Sequence, residues 1–127
     1  MKTEAVDNIG LIGAEPLEMT EDNMLAFIEK RRHVTFVELK TYFKDFDGDN
    51  DWGDLPNNVW YWINISDKCC QILRDLCDAG KIHAFPTIVW TYIADGGGLS
   101  MPIAKRTGFK YKKPRWLPVV WNPGSGQ

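Results

Sequence analysis

The stretch from Ser66 to Gly80 constrains the chain most tightly. Cys69, Ile72, Leu73 and Leu76 recur at i, i+3, i+4 and i+7, the period that gathers side chains onto one face of an α-helix. Ser66 stands where a side-chain oxygen accepts from a free N–H of the first turn, and Gly80 where the backbone can leave the helix in a left-handed conformation. The spacing predicts a helix over 66–79 whose other face, Asp67, Lys68, Gln71, Arg74, Asp75 and Asp78, is polar. A helix this short draws most of its stability from covering its apolar stripe, so the rest of the chain must supply partners.

Two earlier segments carry start signals. Thr20 followed by Glu21 and Asp22 predicts a helix over 21–32, with Met24, Phe27 and Ile28 as its stripe and Lys30, Arg31 and Arg32 in its last turn. Thr35 and Glu38 form a capping box, and Phe36, Leu39 and Phe43 predict a second helix reaching about Lys44. Residues 1–19, with Gly10, Gly13 and Pro16, keep no period and read as a loosely ordered arm. Asp45, Asp47, Asp49, Asp51 and Asp54 interleave with Gly48, Asn50 and Gly53, which reads as a turn-rich acidic loop over 45–54. The apolar run from Asn57 to Ile63 suits a buried helix or a strand equally by period; Asn57 as a cap favours the helix. Past Gly80 the period becomes two, which predicts a β-hairpin of Ile82 to Phe85 and Ile88 to Ile93 about a Pro86-Thr87 turn, closed by Gly96, Gly97 and Gly98.

Short helices, an amphipathic helix ending in Ala79-Gly80-Lys81-Ile82, then a hairpin: over residues 20–95 this order resembles the winged helix-turn-helix superfamily. The resemblance implies an α+β fold, a winged-helix domain at 20–98 with 66–79 as recognition helix, and a basic C-terminal extension at 99–127. In that motif three or four residues join the positioning helix to the recognition helix. Here 45–65 intervene, so either the acidic loop is an insertion or 57–63 is itself the positioning helix; the second option leaves a tight Asn64-Ile65 turn and is preferred. The chain is also similar to small winged-helix proteins of prophages and other mobile elements, which implies double-stranded DNA as partner and a part in transcription regulation.

Charge is unevenly spread. Up to Gly98 there are nine Lys and Arg against seventeen Asp and Glu, whereas from Leu99 onward there are six bases and no acid. Such asymmetry points to a polyanion-binding surface, or to a tail that folds back onto the acidic loop. The candidate DNA contacts in the tail are Lys105, Arg106, Lys110, Lys112, Lys113 and Arg115, interleaved with Phe109 and Tyr111: charge for phosphates and rings for stacking. As a strand, the segment would put Phe109 and Tyr111 on one face and Lys110 and Lys112 on the other. On helix 66–79 the candidates are Lys68, Gln71 and Arg74, since glutamine pairs with adenine and basic side chains with guanine or phosphate. That face nevertheless holds two bases against three acids. The alternative is a non-enzymatic protein-interaction module, binding another protein or a second copy through Trp60, Trp62, Trp90, Trp116 and the acidic loop.

Other classes find little footing. A chain of 127 residues, 44% hydrophobic with a net charge of −2, reads as one globular domain and not as disorder. It has no apolar run of membrane-spanning length and no secretory signal, so a cytoplasmic protein is expected. Cys69, Cys70 and Cys77 form no Cys-x-x-Cys pair and read as reduced thiols without metal. A calcium reading of the acidic loop fits poorly: counted from Asp47, Trp52 and Asn58 fall where its glycine and bidentate glutamate belong, and counted from Asp45, Asn50 and Pro56 do. Gly96, Gly97 and Gly98 lack the lysine and helix of a phosphate loop. His33 and His83 sit in no nucleophile motif, so neither enzyme activity nor a cofactor is expected.

Overall fold

A computed structural model describes residues 15–105 and 108–126, a chain of mixed α+β structure. Of the arm expected at 1–19, residues 1–14 lie outside the described residues; Leu17 bridges to Phe43. Helix α1, Glu21–Arg31, starts where Thr20 Oγ1 accepts from Asn23 N at 3.1 Å, and it buries Met24, Phe27 and Ile28. Helix α2, Phe36–Tyr42, carries the full capping box: Thr35 Oγ1 accepts from Glu38 N at 3.1 Å, and Glu38 Oε1 from Thr35 N at 3.3 Å. It stops short of Lys44 because Phe43 takes an extended conformation that turns its ring onto Phe27. Helix α3, Asp67–Asp78, runs from the Ser66 cap to Gly80 at φ 72°. It buries Cys69, Cys70, Ile72, Leu73 and Leu76 and packs on α1.

The region between α2 and α3 differs from expectation. The acidic loop is for the most part strand β1, Asp47–Asp54, and the helix expected over 57–63 is strand β2, Val59–Ile65. The two are antiparallel, joined by a 3-10 turn at Leu55–Asn57 and by Asn58 in the left-handed region. In β1 the exposed Asp47, Asp49 and Asp51 alternate with half-buried Gly48, Asn50 and Trp52, a period of two that the turn-forming residue types conceal. Gly48 and Gly53 are required there: a Cβ would meet the Ser66 Cα at the first and the Val59 carbonyl oxygen at the second. β2 is the central strand, flanked on its other side by parallel strand β4, Arg115–Trp116; it buries Val59, Trp62 and Ile65 and leaves Asn64 exposed. Residues 57–63 are therefore not a positioning helix.

The hairpin expected after α3 is also replaced. Ile82–Pro86 does form a strand, β3, but it pairs antiparallel with strand β5, Val119–Pro123, in register Ile82 with Pro123 and Pro86 with Val119. The residues expected as its partner enter helix α4, Val89–Asp95. One buried residue decides this conformation: Tyr92 turns inward while Trp90 and Ile93 stay exposed, and Gly96, at φ 116°, receives the chain at the helix end. The other edge of β5 bridges to Val34, between α1 and α2.

The core centres on aromatic rings. Trp62 lies 5.4 Å from Tyr92 and 6.2 Å from Trp116, and Tyr92 meets Trp116 edge-on at 5.1 Å. The segment expected as a C-terminal extension thus adds β4, β5, Trp116 and Trp121 to the same core that holds α1 to α3. Of the four tryptophans considered for an interface, Trp62 and Trp116 are buried, Trp60 is half-buried and Trp90 is 68% exposed. No helix among the described residues is long and apolar enough to cross a membrane.

Candidate nucleic-acid interface

The basic segment is a loop, not the strand considered for it, and it is tied to the turn of the β1–β2 hairpin. Tyr111 N donates to Asn57 O at 3.0 Å, Asn58 Nδ2 donates to Tyr111 O at 2.7 Å, and Arg115 N donates to Asn58 O at 2.8 Å. The Tyr111 hydroxyl accepts from Lys105 N at 3.0 Å. Two residues keep the segment from regular pairing: Gly108 takes φ 73°, and Pro114 supplies no N–H. Lys105, Lys110, Lys112 and Lys113 are exposed. Arg115 is turned inward, its guanidinium 4.7 Å from the Tyr111 ring centroid and donating to Ile103 O at 3.2 Å. Its charge helps to position the loop. Arg106 lies outside the described residues.

On α3, Lys68, Gln71 and Arg74 are exposed, but the side beside β1 is occupied. Asn50 Nδ2 donates to Asp67 Oδ1 at 2.7 Å, Gln71 Nε2 donates to Asp75 Oδ1 at 2.8 Å, and the Arg74 guanidinium sits 5.7 Å from the Trp52 ring centroid. Between helix and strand runs an open polar cleft of about 490 Å³, lined by Asn50, Asp51, Trp52, Asp67, Gln71 and Arg74 among others. A duplex approaching this face would meet Asp49, Asp51, Asp75 and Asp78 as well as the two bases.

Helix α3 starts beside the Ile65 end of β2, where Asn50 Nδ2 donates both to Ile65 O and to Asp67 Oδ1, and its Gln71 and Arg74 run along β1 as far as Gly53; the basic loop is tied to the Val59 end of β2, through Asn57 and Asn58. A third feature is apolar: Phe85, Ile88, Trp90 and Ile93 are 59%, 65%, 68% and 52% exposed; of these only Trp90 was expected from the sequence to serve an interface. The signal of this feature was present in the apolar run 88–93, but a strand there would have buried half of it.

The thiols are unpaired; burial pushes Cys69 up to about 12 and Cys77 up to about 11, and lifts Cys70 as well. Such groups stay protonated at neutral pH and make poor nucleophiles or ligands. Among the described residues no group of three or more His, Cys, Asp or Glu is placed to hold a metal ion. No family model, curated protein or solved structure matches the chain.

Proposed function

We propose that the protein binds double-stranded DNA, with the lysine-rich loop carrying the phosphate contacts. The observation that supports this reading most is the loop itself: Lys110, Lys112 and Lys113 are exposed on a segment without acids, and its backbone is held by Asn57 and Asn58. Charge on a pre-positioned loop binds phosphates without first paying to order the chain. The topology supports a winged-helix reading. Val34 lies beside β5, β5 beside β3, and α1, α2 and α3 precede them in order. On this reading the β1–β2 hairpin is an insertion in the helix-turn-helix turn, and 87–118 is an enlarged wing. The acidic edge of β1 beside Arg74 and Gln71 gives α3 a minor share in affinity. A regulatory or accessory role on DNA, of the kind mobile-element proteins perform, is part of this proposal.

Charge reversal in the loop tests the reading. Replacing Lys110, Lys112 and Lys113 with glutamate weakens binding to unrelated duplexes alike, because backbone contacts carry no sequence information; unchanged binding would refute it. A second reading, a protein-interaction module, is favoured by the apolar surface around Trp90. Self-association that resists salt and is lost in Trp90→Ser would support it.

A further inference from the structure

We infer that the outward side of α4, with Phe85 and Ile88 before it, is the face on which two copies of the chain pair about a twofold axis. The inference stands apart from DNA binding and gives the apolar residues one occupant. α4 carries no charge before Asp95: Tyr92 is buried, Val89 and Thr91 are half-buried, and Trp90, Ile93 and Ala94 are exposed. Trp90 and Ile93, three residues apart, lie on one side of the helix. A helix apolar nearly all round belongs inside a larger body, and the single chain buries this one chiefly on its Tyr92 side. The longer helices differ, since α1 turns Glu21 and Asp22 to solvent and α3 turns Asp67, Arg74 and Asp75.

Charge and area favour a second copy as the occupant. From Ile82 to Ala94 the chain has no Asp, Glu, Lys or Arg. A twofold axis sets each residue of such a face near its counterpart, where any charge would meet its like. A polyanion finds no counter-charge on it either. Phe85, Ile88, Trp90 and Ile93 are each more than half exposed, which leaves roughly 400–500 Å² of apolar side chain open on one copy. Two copies together thus withdraw about 900 Å² through these residues alone, and exposed Pro86 and Ala94 at the rim bring the total toward the roughly 1,200 Å² at which specific interfaces begin. The backbone selects side-chain packing over strand addition. Gly124 N donates to Lys81 O and Thr87 N to Pro118 O; because backbone groups alternate in direction along an antiparallel strand, Ile82, Ala84 and Pro86 turn theirs away from β5. Pro86 has no N–H to offer on that edge, which discourages pairing of β3 with β3 of a second copy.

The test is the solution mass of the full chain across concentration, by sedimentation velocity. The unaltered protein reaches twice the 14.6 kDa of one chain in the micromolar range, and does so equally at about 0.1 M and about 1 M salt, because no ion pair is there to be screened. Trp90→Glu and Trp90→Lys each set like charges across the axis and weaken association more than tenfold; Trp90→Phe keeps it. An equimolar mixture of the two charged variants restores the dimer, since opposite charges then face each other. The exposed position leaves the fold intact, which thermal unfolding checks. A monomer at every concentration would overturn the inference and leave the face to a different protein, with DNA binding still judged by its own salt slope. A dimer that persists in both charged variants would overturn it as well, and dissociation of that dimer in high salt would assign the contact to the basic loop and the acidic residues of β1.

Discussion

Val34 and Trp121 exchange both of their backbone hydrogen bonds, Val34 N donating to Trp121 O at 3.0 Å and Trp121 N to Val34 O at 2.8 Å. This antiparallel bridge fastens the α1–α2 junction to the last strand, while the Trp121 ring meets Phe36 and Trp52 edge-on at 5.8 Å and 5.6 Å. The first and last thirds of the described chain are thereby held as one body, and the basic loop is a closed excursion from it. Such a fold makes the loop a fixed feature of the surface.

The Val34 and Trp121 amides should exchange with solvent only through near-global unfolding, and those of Lys110 and Lys112 orders of magnitude faster. Trp121→Ala should cost about 3–5 kcal/mol, by loss of a large ring from a filled core. Hydrogen exchange and urea unfolding measure both. Fast exchange at Val34 and Trp121 would mean that β5 is not anchored to the helices.

Gly53→Ala should destabilise by about 1–3 kcal/mol. The new Cβ would meet the Val59 carbonyl oxygen and stand 2.9 Å from both Trp60 Cα and Tyr61 N, atoms of a neighbouring backbone that cannot swing aside. Gly97→Ala is the control, because nothing lies within 4 Å of its position. Equal urea midpoints for the two variants would contradict the close pairing of β1 with β2.

The cysteines give a pH dependence with a definite sign. Burial, more than their neighbours Cys70 and Asp78, lifts Cys69 to about 12 and Cys77 to about 11 from an ordinary 9.0. The folded chain then holds thiol protons that the unfolded chain releases, so stability is insensitive to these groups below about 9 and falls as pH rises from there toward 11–12. Urea midpoints at pH 7 and pH 10 check the loss. Alkylation at pH 8 should be slow in the native protein and fast for all three thiols in denaturant; rapid native reaction of Cys69 would contradict its burial.

Neutralising the exposed β1 edge should strengthen DNA binding. Asp49→Asn with Asp51→Asn removes two exposed anions from β1, of which Asp51 lines the cleft beside α3, and affinity for random duplex should rise about two- to threefold at low salt. Filter binding or anisotropy measures it. A fall in affinity would mean that these carboxylates contact the ligand directly.

How much of this was legible follows from the range over which each signal acts. Helices α1, α2 and α3 announce themselves within a few residues, through the Thr20, Thr35 and Ser66 caps and their apolar stripes, because capping and helical period are local. β1 was hidden because aspartate, asparagine and glycine favour turns; its alternation of exposed aspartates with inward Gly48, Asn50 and Trp52 was the signal that could have found it. β2 is ambiguous by nature, since its apolar run from Val59 to Ile63 shows no alternation and its buried Val59, Trp62 and Ile65 are spaced three apart. The pairing of β3 with β5 joins segments separated by all of α4 and the basic loop, and nothing in the local pattern around Pro86 specifies a partner so far away. The loop's charge was plain in composition; its anchoring to Asn57 and Asn58 was not.

Salt dependence tests the central claim most directly. With Lys105, Lys110, Lys112 and Lys113 each meeting one phosphate, log affinity for random duplex against log salt should fall with a slope near −4, at about −0.9 per contact. Replacing Lys110, Lys112 and Lys113 with glutamate should flatten that slope to about −1 or less and lower affinity more than tenfold at low salt. The same slope and affinity in the triple variant would contradict the assignment of the loop as the DNA-binding element.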